Sequence, residues 1–430
     1  MVQFDRHDGA AAAKNDRRGF SVLPRDNIAF DGSAELDGAG AIQTLGPADR
    51  HFLLICGPFG PFTRTLAGSL RAAGSRCSRV ILNGGDVYDW GRGHSRTYLG
   101  ALAGFGDWLA KVVQRDQVTD IVIYGDAHPY CAEAARVASQ TTLQVHVLEQ
   151  GYFRPFWITL ERGGVNGNSS LPRDPDAFRD GAPCLPEPSD EWLPPLTPPA
   201  AWNLALYHLA LWLLTPLFPR FHLPYQYSLP RQAFGHVRRY LDQRLFGARH
   251  RRGLAASLEG SGPLYFGILQ RPGDSQLRVH SPFPSTADFI ERVVRSFARH
   301  APPSARLLFK SHPLDHGIEP HGRAVAAAAA RHRVSGRVFF TDIGDLYGML
   351  PKGVGAVTVN STAGLSAVER GLPTLVLGKA IYDLPGLTHQ GGLDTFWTAP
   401  EAPDPAFYDA FRRVVVSRTQ ISGAYAIRRG

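Results

Sequence analysis

Short apolar runs recur along this chain, and each is followed by a polar loop and then by a stretch with helical periodicity. The runs cover residues 51–56, 79–82, 120–124 and 143–148 in the first half, and residues 262–269, 306–310, 337–340, 356–359 and 373–377 in the second half. Buried strands that alternate with helices are typical of parallel sheets covered by helices on both faces. The sequence therefore predicts an α/β protein with two Rossmann-like, doubly wound domains that face a cleft.

The segments around these units define the expected domain boundaries. The stretch from residue 157 to 200 is rich in Gly, Pro, Asn and Ser and predicts a long loop or an interdomain connection. The expected parts are a flexible N-terminal arm (1–45), an N-terminal α/β domain (46–200), a helical basic linker (201–258), a C-terminal α/β domain for the nucleotide (259–400) and a C-terminal helix (401–430).

Composition narrows the class of protein and of ligand. With 44% hydrophobic and 20% charged residues, the 430-residue chain has the profile of a folded globular protein of about two to three domains. Its net charge of +8 comes mostly from arginine, which favours planar anions such as phosphate and carboxylate. Nucleotides and anionic membrane surfaces both fit this charge. A nucleic-acid partner is not expected, because the basic residues are not interleaved with aromatic residues on a recognisable module.

The cysteines predict neither a disulfide framework nor a metal site. Cys56, Cys77, Cys131 and Cys184 are widely scattered, without a Cys-x-x-Cys pair or a histidine spacing typical of zinc. We expect reduced thiols in a cytoplasmic protein. The N-terminal residues contain no apolar core of signal-peptide length, so export is not expected.

Residues 201–218 are the most apolar segment of the chain. The segment is shorter than the ~20 residues that a membrane-spanning helix needs, and it contains Asn203, His208 and Pro216. Arginines follow it from Arg220 onward. Two interpretations stay open: a core helix with a solvated basic neighbour, or a peripheral helix that lies on anionic lipid.

Polar side chains follow the predicted strands of the first half. Glu149 ends the strand before Gly151, Asp126 follows the preceding strand, and Asn83-Gly-Gly-Asp86 follows an earlier one. Because the carboxyl ends of parallel strands meet at one edge of a sheet, we expect these side chains to share a rim. Glu149 and Asp126 are the predicted catalytic carboxylates, and Asn83 and Asp86 are substrate-side candidates. The alternatives are a strand-end capping role for Glu149 and an ordinary tight turn for Asn83–Asp86.

The second half carries two motifs that suit a phosphate. Lys310-Ser-His-Pro313 places a cation and an imidazole at the end of a strand, and Asn360-Ser-Thr-Ala-Gly364 lies at a strand-to-helix junction. Free amides at the positive end of a helix bind anions, although simple N-capping is the alternative. The two motifs together predict a clamp for a nucleoside monophosphate. Its predicted members are Lys310, His312, Pro313, Asn360, Ser361 and Thr362.

Several common catalytic motifs are absent from the sequence. It contains no Walker loop, no His-Glu-x-x-His and no Gly-x-Ser-x-Gly, which argues against an ATPase, a zinc protease and an α/β-hydrolase. It also has no Asp-x-Asp at a strand end to hold a divalent metal against a diphosphate. A metal-independent transferase with a nucleoside monophosphate donor fits this pattern.

Together, these motifs resemble the capsular-polysaccharide biosynthesis proteins of the KpsS and LipB type, the β-Kdo transferases of Gram-negative capsule assembly. The matching segments run in family order from about residue 51 to 397. They are Gly57–Phe62, Asn83–Asp86, Tyr124–Asp126, Glu149–Pro155, Trp157–Glu161, Gly163–Gly167, Gln270, Asp274–Gln276, His280–Phe283, Phe309–Asp315, Val359–Gly364, Tyr382–Gly386 and Phe396–Trp397.

The resemblance implies a GT-B-like enzyme that needs no cofactor or metal and works at the inner face of the cytoplasmic membrane. It implies transfer of Kdo from CMP-Kdo to lyso-phosphatidylglycerol, which starts the poly-Kdo linker, and contact with other capsule biosynthesis and export proteins. It places His312, Ser361 and Thr362 at the CMP moiety and Glu149 at the reacting sugar. Gln270 joins the donor-side candidates, and Arg154, Asn166 and Tyr382 join the substrate-side candidates.

One departure from the family pattern bears on the mechanism. The family tends to carry two acids before the glycine, whereas this chain has Gln150 as the second residue. A retained anomeric configuration requires a carboxylate nucleophile or front-face attack, and the acceptor hydroxyl requires a base. An amide can serve as neither, so these roles fall to Glu149 and Asp126, in an order that stays open. Alternatives are another CMP-sugar such as a sialic acid, another acceptor, or a catalytically silent assembly or export partner.

Overall fold

The computed structural model describes residues 47–154, 157–190, 198–223, 227, 229–271, 273 and 275–422. The expected N-terminal arm, residues 1–45, lies outside these ranges. Pro155 and Asp274 of the sequence motifs also lie outside them.

The first half of the chain forms a seven-stranded sheet in the order β12-β6-β5-β4-β1-β2-β3. Its strands are β1 (His51–Ile55), β2 (Arg76–Ile81), β3 (Ser95–Thr97), β4 (Asp120–Tyr124), β5 (Gln144–Gln150), β6 (Trp157–Arg162) and β12 (Gln420–Ser422). The strands β1 to β5 run parallel, whereas β6 pairs antiparallel with β5 and with β12. The chain order reverses between β1 and β4, and ligands of open α/β sheets bind at the carboxyl ends of such a pair.

A five-stranded parallel sheet in the order β11-β10-β7-β8-β9 forms the second half. Its strands are β7 (Leu264–Ile268), β8 (Arg306–Lys310), β9 (Val338–Thr341), β10 (Gly355–Thr358) and β11 (Thr374–Val376). Here the order reverses between β7 and β10. The two doubly wound α/β units predicted from the sequence are confirmed.

Helices cover both sheets. They are α1 (Phe62–Ala72), α2 (Gly84–Trp90), α3 (Phe105–Asp116), α4 (Pro129–Ala138), α5 (Pro175–Gly181), α6 (Pro198–Leu213), α7 (Leu229–Glu259), α8 (Ser275–His280), α9 (Thr286–His300), α10 (His321–Arg331), α11 (Leu346–Met349), α12 (Thr362–Glu369), α13 (Leu393–Phe396) and α14 (Pro405–Thr419). Short 3-10 helices span Pro47–Asp49, Leu102–Gly104, Asn166–Asn168, Ala182–Cys184, Thr215–Leu217 and Leu350–Lys352.

The apolar patterns explain how these layers pack. All five residues of β1 and of β7 are buried, as expected for central parallel strands. On α9, Phe289, Val293 and Phe297 recur every four residues, and they pack with Phe309 of β8 in one buried cluster. Ser285 caps this helix by accepting a hydrogen bond from the Asp288 amide at 3.2 Å.

The stretch from residue 157, expected to be a loop or a connection, begins with a strand and also contains α5. The strand β6 is stabilised on one side by β5 and on the other by β12, which returns from the C-terminal end of the described chain. The Gln420 side chain accepts a hydrogen bond from the Tyr152 amide at 3.0 Å and donates one to Thr159 at 3.0 Å. The sequence near residue 157 does not show this distant partner.

Two helices connect the sheets. The first, α6, packs on α2, where a Cβ on Gly84 would lie 2.3 Å from the Ala210 carbonyl oxygen and one on Gly85 would lie 2.2 Å from the Tyr207 ring. These glycines therefore allow close helix packing. The second, α7, contacts the loop after β8, since Arg239 donates to the Pro313 carbonyl at 3.0 Å. Among the described helices, none combines the length and apolar character required to span a bilayer.

Candidate active site

Glu149 lies at the carboxyl end of β5, on the rim that β4 and β5 share. It is the penultimate residue of β5, so it belongs to the strand itself. One carboxylate oxygen accepts a hydrogen bond from the Gln150 amide at 2.9 Å, and the other lies 3.2 Å from the position of a Cβ on Gly125. Gly125 has a φ of +67°, so the absence of a side chain there both permits the turn and leaves room for the carboxylate.

Asp126 follows β4 on the same rim. Its Oδ2 accepts hydrogen bonds from the Val165 amide at 3.3 Å and from Asn168 Nδ2 at 3.0 Å. Its Oδ1 is buried and has no hydrogen-bond partner among the described residues. Because a buried carboxylate oxygen without a donor is costly, this atom is a natural contact point for a substrate hydroxyl.

Glu161 is a buried carboxyl group that the sequence argument did not single out as a site residue. Tyr152 donates its hydroxyl proton to Oε1 at 2.6 Å, and Ser169 donates to Oε2. Burial raises the pKa of Glu161 to about 7, and the negative charge of Asp126 adds to this rise. The Tyr152 hydroxyl oxygen in turn accepts a hydrogen bond from the Asn166 amide at 2.8 Å. Glu161 therefore orders the loop that holds Asp126. The sequence feature that could have identified Glu161 is an acidic residue within an otherwise apolar strand.

The same loop contacts the second half of the chain. A Cβ on Gly167 would lie 2.4 Å from Nδ1 of His280, the last residue of α8. Burial lowers the pKa of His280, although the charge of Asp126 opposes the shift. The His280 carbonyl accepts a hydrogen bond from Asn360 Nδ2 at 3.4 Å. His280 therefore connects the carboxylate loop of the first half with the Asn360 turn of the second.

His312 lies two residues after the end of β8, and one of its ring nitrogens has a defined hydrogen bond. Its Nδ1 accepts a hydrogen bond from the Leu314 amide at 3.0 Å, so in the neutral ring Nε2 carries the proton. Burial, followed by the charges of Arg154 and Arg271, lowers the pKa of His312 to about 4. The ring is therefore a neutral Nε2–H donor at physiological pH. Pro313 fixes the backbone between the ring and the amide that orients it.

Cations from both halves surround His312. Arg154 comes from the loop after β5, Arg271 follows β7, and Lys310 is the last residue of β8; each of them lowers the pKa of His312. Lys310 is only 3% exposed and donates to the Ser311 carbonyl at 2.7 Å. Burial, and then the charge of Arg239, lowers its pKa to about 8. This concentration of positive charge in a partly buried site suits a phosphate.

The Asn360 turn lies at the N-terminus of α12. Ser361 caps α12 by accepting the Ala363 amide at 3.2 Å, and Thr362 is the first residue of that helix. The Gln270 side-chain oxygen accepts a hydrogen bond from the Asn360 amide at 3.3 Å. Tyr382 is only 2% exposed and donates to the Ser361 carbonyl at 2.5 Å, so it supports the turn from within the protein. Ser361 therefore has the N-capping role that the sequence analysis left open as the alternative.

A cavity of about 210 Å³ lies beside this turn, at the carboxyl ends of β7 and β10. The switch point of the second sheet is the same place. Apolar side chains form most of its wall, and polar groups are provided by Gln270, Ser281, Ser285, Thr286 and Glu319. The residues that line its interior include Leu269, Gln270, Ser281, Phe283, Phe289 and Val359. Such a mixed wall is typical of small-molecule sites.

Comparison with known proteins identifies the family. The model of the family described as "Capsule polysaccharide biosynthesis protein" matches residues 119–425. This chain belongs to that family. The capsule polysaccharide export protein KpsS of Escherichia coli is 33% identical over 387 residues, which cover 90% of this chain and 99% of KpsS. The capsule polysaccharide modification protein LipB of Neisseria meningitidis serogroup A is 32% identical over 404 residues, covering 89% of this chain and 93% of LipB.

A solved structure also aligns with this capsule family member. The β-Kdo 2,7 transferase of Thermosulfurimonas dismutans KpsC aligns with a TM-score of 0.43 and 11% identity, over 87% of this chain and 96% of that one. The resemblance to the KpsS and LipB type, inferred from the sequence motifs, is confirmed by the family match and by the two relatives.

Two of the predicted substrate-side residues of this capsule family member lie apart from the others. Asn83 and Asp86 follow β2, the third strand from β5 in the sheet, and both are buried. Asn83 caps α2 by accepting the Asp86 amide at 3.1 Å, and Asp86 accepts hydrogen bonds from Arg79 at 2.6 Å and from the Leu82 amide at 3.0 Å. Their polar groups are thus engaged in holding the start of α2 beneath α6. Arg154 and Asn166, in contrast, lie on the cleft loops described above.

Proposed function

We propose that this capsule family member is a glycosyltransferase that transfers Kdo from CMP-Kdo to lyso-phosphatidylglycerol and so starts the poly-Kdo linker. The observation that carries the proposal is the placement of two carboxylates, Glu149 and Asp126, on the first sheet, opposite the cations around His312 on the second. A sugar nucleotide that spans the cleft would place its phosphate at the cations and its sugar at the carboxylates. The identity of donor and acceptor rests on the family resemblance.

The donor is held through its phosphate and its base. Arg154, Arg271 and Lys310 supply positive charge, and His312 donates through Nε2. The N-terminal amides of α12 add a positive helix end. The cytosine and ribose occupy the cavity beside Gln270. These protein cations balance the phosphate charge, so donor binding in this proposal requires no metal ion.

The two carboxylates have different roles in the covalent chemistry. One attacks the anomeric carbon of Kdo, the bond from that carbon to the phosphate oxygen breaks, and CMP leaves with the bonding electrons. The other removes the proton from the acceptor hydroxyl, whose oxygen then displaces the enzyme carboxylate. Two displacements restore the original configuration, as retention requires. The hydrogen bond from His312 and the surrounding cations stabilise the charge that develops on the departing phosphate.

The acceptor approaches from the side of α6, where apolar side chains are exposed. Trp202 and Trp212 are 70% and 69% exposed, and Trp202, Leu206 and Leu209 share one helix face. On the opposite side of α6, Tyr207 contacts Phe59 of the loop after β1, with ring centroids 4.8 Å apart. The helix α6 thus lies against the loop after β1, at the same carboxyl edge of the first sheet as the loops that carry Glu149 and Asp126.

The second connecting helix, α7, adds exposed apolar residues and positive charge. Phe234 and Leu245 are 70% and 74% exposed, and Arg244, Arg251 and Arg252 are exposed on the same helix. Apolar side chains next to arginines are typical of helices that lie in the interface of an anionic membrane. We therefore place the enzyme at the inner face of the cytoplasmic membrane, where it would meet its lipid acceptor and other capsule biosynthesis and export proteins.

The decisive experiment is to incubate the purified protein with CMP-Kdo generated in situ and a fluorescent lyso-phosphatidylglycerol analogue. Products are analysed by mass spectrometry. A mass gain of one Kdo establishes the donor and the acceptor class together. No gain in the presence of calorimetrically measured CMP binding would favour another CMP-sugar, another acceptor or a silent assembly partner. Absence of both Kdo transfer and CMP binding would contradict the proposal.

A further inference from the structure

Three side chains that commonly bind metals meet at the switch point of the first sheet. Cys56 directly follows β1, and His128 and Cys131 lie at the start of α4, directly after β4. Their sulfur and nitrogen atoms all lie within 4.8 Å of one another. Nothing in the donor clamp or the carboxylate pair described above uses these three groups.

Their spacing is close to that of ligands on one ion. In a tetrahedral zinc site with Zn–S near 2.3 Å and Zn–N near 2.0–2.1 Å, a sulfur and a nitrogen ligand are about 3.6 Å apart. Cys56 Sγ and His128 Nδ1 are 3.7 Å apart. The pair is therefore placed as two corners of such a tetrahedron without movement of the backbone.

The backbone holds these ligands in position. Cys56 has a φ of 58°, a left-handed conformation that a residue with a Cβ rarely adopts. Such conformations concentrate at functional sites, where the surrounding structure maintains them. His128 is the N-cap residue of α4 and Cys131 lies in the first turn of that helix, and their ligand atoms lie within 4.8 Å of each other. Pro129 between them is well suited to the first helical position.

Burial and ligand chemistry indicate the kind of ion. Cys131 is fully buried, whereas Cys56 and His128 are half-buried, so an ion here would be enclosed on one side and open toward the rim on the other. Two thiolates and an imidazole select zinc-like divalent ions over Mg²⁺ or Ca²⁺, which prefer oxygen ligands. Three protein ligands with an open fourth position are typical of zinc sites that bind an exchangeable water or substrate oxygen.

We propose that Cys56, His128 and Cys131 form a binding site for a zinc-like divalent ion at the carboxyl edge of β1 and β4. On binding, the two thiols become thiolates and release their protons, and the neutral imidazole coordinates through Nδ1. The fourth ligand is an oxygen from water or from the acceptor. The ion lies on the first sheet, whereas the donor phosphate is bound on the second, so the site is independent of the metal-free donor clamp.

Sequence spacing does not show this site, because Cys56 and His128 are 72 residues apart and meet only through the pairing of β1 with β4. The structure brings Cys56 and Cys131 together, although the two are far apart in the sequence.

The test is a titration of untagged, reduced protein with Co²⁺, followed by displacement with Zn²⁺. The proposal expects a thiolate-to-cobalt charge-transfer band that saturates near one equivalent and disappears when Zn²⁺ is added. Cys56→Ser and His128→Asn should each weaken binding about 100-fold, since each removes one of three ligands. Cys184→Ser, which alters an exposed cysteine elsewhere, should leave the band unchanged.

A thiol count provides a second readout that does not depend on the variants folding well. In the wild-type protein, one equivalent of Zn²⁺ should protect the half-buried Cys56 thiol from a disulfide reagent, and a chelator should restore its reactivity. The proposal is overturned if the wild type shows no charge-transfer band, if Cys56→Ser forms the band at the same Co²⁺ concentration as wild type, or if Zn²⁺ does not protect Cys56. A Cys56–Cys131 disulfide that forms in the presence of equimolar Zn²⁺ would also overturn it.

Discussion

Gly167 and His280 come from different halves of the chain and are packed so closely that a Cβ on Gly167 would lie 2.4 Å from the imidazole Nδ1. The His280 ring is only 4% exposed and cannot swing into solvent. A methyl group at residue 167 must therefore displace either the loop that holds Asp126 or the residue that contacts Asn360. The distance between Asp126 and Asn360 depends on this contact.

We expect Gly167→Ala to slow Kdo transfer about 10- to 100-fold, because small misplacements of reacting groups are costly in rate. It should also lower the free energy of unfolding by about 1–3 kcal/mol, as overpacking does. Steady-state transfer rates and thermal unfolding measure the two effects. Gly68→Ala is the matched control, since a Cβ there meets nothing within 4 Å on an exposed helix position. Equal rates in both variants would show that the contact does not position the site.

His312→Ala should weaken CMP binding about 10- to 100-fold, which corresponds to about 1.5–3 kcal/mol for a hydrogen bond to a charged group. The reason is the loss of the Nε2–H donor that the Leu314 amide fixes. Isothermal titration calorimetry with CMP measures the change. His300→Ala, at a histidine whose side chain is 42% exposed on α9, is the control. If CMP binds His312→Ala as tightly as wild type, His312 does not contact the nucleotide.

Glu149→Gln and Asp126→Asn should each reduce the rate of transfer about 100-fold or more, while CMP affinity stays within about 2-fold of wild type. Both substitutions keep the shape of the side chain and remove its capacity to act as a base or nucleophile. Single-turnover transfer assays and CMP calorimetry separate the two effects. Glu187→Gln, at a glutamate whose side chain is 77% exposed, controls for loss of a negative charge. Wild-type activity of Glu149→Gln would remove Glu149 from the mechanism.

The parts of the fold that the sequence predicted are those with local signals. Apolar strands followed by polar loops predicted both parallel sheets, because a buried parallel strand needs a continuous apolar run. The strand β6 was missed although it pairs with its chain neighbour β5, because its other partner β12 is distant in sequence, where Gln420 lies opposite Thr159. Its sequence, bounded by prolines and glycines, resembles a loop when the partner is unknown.

The sequence could predict only those candidate site residues that lie together in one local motif. Asn83 and Glu149 both follow apolar strands, but Asn83 caps a helix and Glu149 lies over Gly125. A sequence cannot distinguish a polar side chain that satisfies the backbone from one that faces the cleft, because both follow strands. The convergence of Arg154 with Lys310 around His312 depends on how the two halves meet, and no local spacing encodes it.

CMP affinity should decline as the pH rises through about 8. Burial lowers the pKa of Lys310 to about 8, so its side chain is cationic below that pH and neutral above it. A bound phosphate stabilises the cation, and binding above pH 8 therefore requires uptake of a proton. The dissociation constant should rise by up to about 10-fold per pH unit there. In Lys310→Met this dependence should disappear, with weaker binding below pH 8.

Calorimetry in two buffers with different ionisation enthalpies counts the protons taken up. Wild-type protein should take up close to one proton per CMP at pH 9, and Lys310→Met should take up none from this group. The same pH dependence in both proteins would assign the titration to another residue.

Replacement of both Trp202 and Trp212 by glutamate should reduce binding to phosphatidylglycerol vesicles at least 10-fold. Each side chain is about seven-tenths exposed on α6, so neither contributes much to the core, and the loss of a buried aromatic from a bilayer interface costs about 1.5–3 kcal/mol. Vesicle co-sedimentation measures the effect, and thermal unfolding should remain near that of wild type. Transfer to a water-soluble short-chain acceptor should be retained, whereas transfer to vesicle-bound acceptor should decline. Loss of both activities would mean that α6 supports the catalytic loops through Phe59 and Tyr207 instead of binding the membrane.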